Sequence, residues 1–352
     1  MKLRIALLVL IFLAACAPTS VTDAPVTVAP PVETATSLPA RAEPSRSVEN
    51  EATAVPVTDE YAIFSINVQD FAHPAESAAV LEKIIALHES LGVPVDIYLT
   101  DVMAKIYAEQ FPALLERLKT SPVVAVSYHD RAPRPYVNNY DWLGLQNMSA
   151  EEQYETILRY EMHAVDPVTG QTTDEAGGYQ YVASLIGYNP YAASSITSGA
   201  LDDAVMRVFR DLGAQMTVVH GRTLNLGDTK DGLLIRPEHF DYMLFQHAGE
   251  DAATEFESAL AQAHAAQGAR APYFVGVKMH DNDFFAEQSA WLTVYVDGGK
   301  RPNWNPSLAS PLISADAQAA MWTMYEQTVR YVASLQGRVG IVNAPMILEM
   351  IQ

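Results

Sequence analysis

The sequence predicts an α/β fold, a (β/α) barrel of about seven or eight strand–helix units. Two observations carry this. Apolar, strand-like runs recur through residues 60–352, mostly separated by helical patterns. The runs are nearly continuous in apolar residues, as parallel strands buried on both faces are. No G-x-G-x-x-G or Walker-type loop follows any of them, which weakens a nucleotide-binding alternative, and no repeat of solenoid length is visible.

In chain order, "YAIFSINV" (61–68) reads as the first strand and Ala75 to Leu91 as an amphipathic helix. "VDIYLT" (95–100) precedes a helix running through Leu118. "PVVAVSYH" (122–129) leads into a long aromatic loop and then a helix that starts at a capping box, Ser149 with Glu152. "YVASLIGY" (181–188) reads as a strand before a helix near 199–212. "QMTVVH" (215–220) and "GLLIRP" (232–237) come next, then a helix at about 251–266. "YFVGVKMH" (273–280), a long loop, a helix near 314–335 and "VGIVNA" (339–344) complete the pattern, with a short terminal helix.

The first residues differ in kind. Lys2 and Arg4 precede an apolar run over 5–15, shorter than the about 20 residues a membrane-spanning helix needs. It reads as a secretory signal peptide, residues 1–15. Leu13-Ala14-Ala15-Cys16 resembles a bacterial lipobox, and Cys16 is the one cysteine of the chain. The expectation is an exported lipoprotein of the bacterial cell envelope, lipidated at Cys16 and held to the membrane through that anchor alone. Residues 16–59 are rich in Pro, Thr, Val, Ala, Ser and Glu with almost no aromatics, which reads as a disordered linker. A formal charge of -20 argues against nucleic acid and against docking of a basic face on anionic lipid.

Catalytic groups of such barrels sit at the C-terminal strand ends. There the sequence places Gln69, Asp70 and His73; His129, Asp130 and Arg131; His220 and Arg222; and Lys278, His280, Asp281 and Asp283. Each has a plain reading as well: Asp70 as a turn or helix cap, His129 as a buried imidazole bonded to Asp130 or backbone, Lys278 as half of an ion pair. Together they suit a divalent metal with an open position, or general acid–base work. A serine nucleophile elbow and the H-E-x-x-H signature are absent.

At these residues the chain resembles the polysaccharide deacetylases of the NodB-homology family. "INVQDF" stands where their T-F-D-D-G motif stands, "SYHDRAPRP" where their H-[ST]-x-x-H motif stands, and "VKMHDNDFF" where a late catalytic His stands. The resemblance implies an irregular (β/α)7–8 barrel of the glycoside hydrolase/deacetylase type and metal-dependent removal of acyl groups from a polysaccharide, with zinc as the cofactor. It implies metal ligation by Asp70 and His129, helped by His73 or Asp283, and a catalytic His280 with Asp130 or Asp281 as base. Two positions depart: Gln69 falls where the family has its base, and Pro133 where it has a second metal-binding His. Arg131 and Lys278 would position substrate. Tyr136, Tyr140 and Trp142 in one loop, and Trp291, Tyr295 and Trp304 in another, either stack on sugar rings or pack the lid of the barrel. A metal-independent glycoside hydrolase using acids such as Asp281 and Asp283, and a glycan-binding lipoprotein that has lost catalysis, are the alternative readings.

Overall fold

The computed structural model describes residues 55–131, 134–137, 141–197, 199–219, 223–294 and 305–351. The signal and anchor expected at 1–59 lie almost wholly outside them, as do Pro133, Tyr140, His220, Arg222, Tyr295 and Trp304.

Strand β1 (Glu60–Val68) turns Ala62, Phe64, Ile66 and Val68 toward one hydrophobic layer, and Tyr61 and Ile63 toward another. That period of two on a fully buried strand is what a parallel sheet covered on both faces requires. The chain continues through α1 (Pro74–Leu91), β2 (Val95–Leu99), α2 (Asp101–Gln110), α3 (Pro112–Thr120) and β3 (Val124–His129). Next come α4 (Ala150–Met162), the hairpin β4 (His163–Val165) and β5 (Thr172–Ala176), α5 (Gly178–Ile186), β6 (Ala192–Ser194) and α6 (Ala200–Leu212). The last part holds β7 (Met216–Thr217), β8 (Thr229–Lys230), β9 (Leu233–Ile235), β10 (Phe240–Met243), α7 (Ala252–Gln267), β11 (Tyr273–His280), α8 (Ala290–Val294), α9 (Ala315–Ser334), β12 (Val339–Ile341) and α10 (Ala344–Glu349).

The main sheet runs β10-β11-β1-β2-β3-β6-β7-β9-β8, with β12 beside the start of β1. Every pairing in it is parallel except β8 with β9. Arg236 N bonds to Thr217 O while His239 N bonds to Phe274 O, each at 2.9 Å, so the segment between them crosses from the β7 side to the β11 side. The fold is thus an irregular α/β barrel of the class expected, with a curled, mainly parallel sheet.

The hairpin β4–β5, β6, β8 and α8 were not expected, and three further differences bear on how the site is built. The predicted strand at 181–188 is mostly helix α5, whose buried Tyr179, Val182 and Ile186 follow helical spacing. The chain enters it through Gly177 and Gly178, packed against the end of α4. A Cβ on Gly178, which has φ +63°, would meet Glu161 O at 2.4 Å. The helix predicted through Leu118 is two, because Pro112 lacks the N–H that would continue the ladder. β10 was not foreseen, since "FDYM" is short and has Asp241 in its middle. The capping box at Ser149 and Glu152 forms.

The barrel interior is apolar near the start of β1, at Tyr61 and Ile63, and polar farther along it. The register sets Ser65 beside Lys278 on one side and Asp96 on the other. Arg236, 2% exposed, donates to Glu238 Oε2 at 2.5 Å and to Ser65 Oγ. Gly276 leaves the room that Glu238 occupies: a Cβ there would lie 2.2 Å from its carboxylate. Asp96 accepts the N–H of Ala344 at 3.0 Å through Oδ1, while Oδ2 is buried without a hydrogen-bond partner among the described residues.

Burial pushes Asp96 up to about 7, against the opposing pull of that N–H and of Arg236. The folded pKa exceeds the ordinary value of 3.8, so unfolding releases a proton between about pH 4 and pH 7. Stability on this account falls as pH rises through that window, by a few kcal/mol at most, and stays low above it. Asp96→Asn keeps the oxygen that Ala344 needs. We expect its melting temperature to be less dependent on pH between 4 and 7 and to exceed the wild type's at pH 8. Parallel melting curves for the two proteins would sink the assignment.

Candidate functional site

β1 ends at Val68, and the next two residues part company. Gln69 continues the inward-facing series Ser65, Asn67, whereas Asp70 turns toward α1. Asp281, just past β11, holds this bend: its Oδ1 accepts from Gln69 N at 3.1 Å, and its Oδ2 accepts from Asp70 N at 3.1 Å and Ser77 Oγ at 2.6 Å. Asp70 Oδ1 in turn accepts the N–H groups of Ala72 and His73, the capping role open to it from sequence. Both carboxyls are wholly buried. Burial raises Asp70 and pushes Asp281 up to about 6.

Gln69 is saturated. Its Oε1 accepts from Arg131 Nε at 2.6 Å and its Nε2 donates to Asn282 Oδ1 at 3.2 Å, which ties the ends of β1, β3 and β11 together. Burial brings Arg131 down to about 10, leaving it a cation at neutral pH.

The turn after β11 builds the other half. Asp283 Oδ2 accepts from His280 N at 2.7 Å and pairs with His280 Nδ1 at 2.9 Å. A carboxylate on Nδ1 fixes the proton there and leaves Nε2 as the acceptor of the neutral ring. The Phe245 ring packs against the imidazole at 5.5 Å. Gln69, Arg131, His280, Asn282, Asp283 and Glu287 line one cleft of about 560 Å³, walled by Val137, Ile196, Phe245, Trp291 and Leu292.

The structure brings together four of the residues singled out from strand ends: Gln69, Arg131, His280 and Asp283. Trp291, from the second aromatic loop, joins them, its ring edge-on to Phe71 at 4.6 Å. Asp70, His73, His129, Asp130, Lys278, Asp281, Tyr136 and Trp142 stand outside the lining. His73 Nε2 meets Ser310 O at 2.7 Å, and His129 Nδ1 meets Ser194 O at 3.2 Å. Asp130 is buried, and burial with the nearby Glu161 carboxylate pushes it up to about 8. Lys278 reaches Asp241 at 3.4 Å. Tyr136 is buried with its hydroxyl on Glu161, so its ring is not offered to a ligand.

Sequence reasoning missed Asn282, Glu287 and Phe245 as cleft residues. The first two lie in or just beyond the "HDNDFF" turn, where any polar side chain is a candidate. Phe245 was hidden because the strand that delivers it, β10, was not recognised.

A metal at this mouth was expected on Asp70, His129 and either His73 or Asp283. The donors do not form such a set. Asp70 Oδ1 caps backbone while its Oδ2 is buried without a hydrogen-bond partner among the described residues, His129 Nδ1 meets Ser194 O, His73 Nε2 meets Ser310 O and Asp283 Oδ2 pairs with His280, and no three of these residues bring donor atoms within 4.8 Å of one another. Among the described residues, the three metal-ligating side chains whose donor atoms lie within 4.8 Å of one another are His247, Glu250 and Glu255, elsewhere in the fold. No step is therefore routed through a metal at the cleft.

No family model and no curated protein matches the chain. Solved structures similar to it include a protein assigned as a polysaccharide deacetylase from Mycobacterium smegmatis, at 12% identity and TM-score 0.46, covering 85% of this chain and 93% of that one. An allantoinase is similar at 12% identity and TM-score 0.46, with 83% and 90% covered. A family 4 carbohydrate esterase from Streptomyces lividans is similar at 11% identity and TM-score 0.37, with 79% and 90% covered. Values this low leave the chemistry to be read from the residues themselves.

Proposed function

We propose that the chain hydrolyses acyl groups carried on a carbohydrate, using His280 as the proton carrier and Asp283 to orient it. The observation that supports this most is the Asp283–His280 Nδ1 bond at 2.9 Å on a ring that lines the cleft. In the proposed step a water oxygen adds to the acyl carbonyl carbon and its proton goes to His280 Nε2. That proton then passes to the departing sugar oxygen or nitrogen, releasing the carboxylic acid and the deacylated sugar. Arg131, a cation held by Gln69, would stabilise the charge that builds on the carbonyl oxygen. Trp291 and Phe245 give the cleft aromatic walls beside polar groups, a combination suited to sugar rings.

The exported state with a lipid on Cys16 belongs to this reading, and acyl mass on the mature N-terminus checks it. A second reading has one observation in its favour: Asp283 and Glu287 share the cleft, as the two acids of a glycoside hydrolase would. One assay separates the readings. The protein is incubated with acetylated oligosaccharides, and acetate and new reducing ends are both measured. Acetate without reducing ends is the expected result. Reducing ends would replace the proposal with glycoside hydrolysis, and binding without either product would replace it with a glycan-binding role.

A further inference from the structure

β10 ends at Met243, and the turn Leu244–His247 follows it before α7 begins. That turn, the short link after it and the first turn of α7 bring three ligand-type side chains together. His247 Nδ1 lies 2.7 Å from Glu250 Oε2 and 3.2 Å from Glu255 Oε2. Three donors about 2.0–2.2 Å from a tetrahedral ion would stand roughly 3.3 Å apart, so the cluster needs little movement to take one. One imidazole nitrogen facing two carboxylates places either a ring N–H or a metal ion between them.

A second observation points to a ligand beyond the proton. Tyr242 is 2% exposed, and its buried hydroxyl has no hydrogen-bond partner among the described residues. Its ring lies 5.1 Å from that of His247. Buried hydroxyls are normally satisfied. A metal ion held by the three side chains, or its bound water, would give this one a partner.

We infer that His247, Glu250 and Glu255 bind a divalent first-row cation, zinc for preference given one nitrogen and two carboxylate donors, next to Tyr242. The site is separate from the cleft but coupled to it. Phe245, in the same turn, is the residue that packs on His280. An ion there would pin the turn and so hold one wall of the cleft.

The test uses the full chain stripped with chelator and then titrated with zinc chloride. It measures bound zinc together with hydrogen exchange of the amides in residues 244–256. Zinc should slow exchange in that segment. His247→Gln and Glu255→Gln should each weaken this zinc at least about tenfold and abolish the protection, with Glu250→Gln as a further check. Tyr242→Phe should weaken it less. Asp70→Asn, at the bend after β1 and outside the cleft lining, should leave both readouts unchanged, and because neither readout follows acyl release the result is independent of the proposed hydrolysis. No zinc uptake, or uptake and exchange unaffected by His247→Gln and Glu255→Gln, would reduce the cluster to a ring N–H shared between two glutamates.

Discussion

His280→Ala is expected to lower the rate of acyl release by roughly 10²–10⁴-fold while leaving the melting temperature near that of the wild type. The size follows from the role. In the proposed reaction the imidazole takes the proton of the attacking water and later returns it, and it is the one imidazole among the described cleft residues. Gln69 cannot, because its amide is committed to Arg131 and Asn282. Asp281 cannot, because it is buried behind the bend it braces. Asp283→Asn should cost at least about tenfold, since an amide no longer fixes the proton on Nδ1. If the two side chains act as a unit, the double variant will be no slower than His280→Ala alone. Acyl release by His280→Ala within a few-fold of wild type would remove this histidine from the mechanism.

The contrast between Gln69 and Asp70 also explains how much of the site could be read from sequence. A strand alternates its faces, so consecutive residues at its end point apart. Gln69, His129 and His280 continue the inward series of β1, β3 and β11. Asp70, Asp130 and Asp281 each come one residue later and turn outward, where burial pushes all three carboxyls up. The sequence shows the His-plus-carboxylate clusters plainly. It does not show that the cluster members separate, because strand ends drift by a residue or two and that drift decides the face. Asp283 escapes this fate because the turn after β11 brings it back onto the imidazole.

The fold was legible for similar reasons, and its misreadings were local. β1, β11 and the capped start of α4 are long or strongly patterned. Tyr179, Val182 and Ile186 lie within or beside a run rich enough in apolar and aromatic residues to pass for a strand. The segment's entry is fixed by Gly177, whose backbone runs against β4 at His163 and Ala164, and by Gly178, against Glu161 of α4, each closely enough to exclude any side chain. Those contacts lie outside the window in which periodicity is judged.

The same region carries the largest stability effect to be expected from a single change. Arg134, 2% exposed, donates from Nε to Glu161 Oε1 at 3.0 Å and from a terminal nitrogen to Asp101 Oδ2 at 2.9 Å. Glu161 also accepts from the hydroxyls of Tyr128 and Tyr136 and, at 2.8 Å, from Tyr179 N; Asp101 also accepts from Gly178 N at 2.9 Å. One arginine thus joins β3, α2 and α4 to the entry of α5. Arg134→Met is expected to cost about 3–5 kcal/mol in urea unfolding, because it leaves two buried carboxylates without their cation. Glu161→Gln, which keeps an oxygen for the Tyr128 and Tyr136 hydroxyls, loses the bond from Tyr179 N and removes one charge, should cost less. Combined with Arg134→Met, it should recover part of the loss, the sign of a direct coupling. A loss below about 1 kcal/mol for Arg134→Met would show that the cluster is not what fixes this region. Arg134 lies between Arg131 and Val137, which both line the cleft, so loosening it should also raise KM for an acylated oligosaccharide under conditions where the variant is still folded.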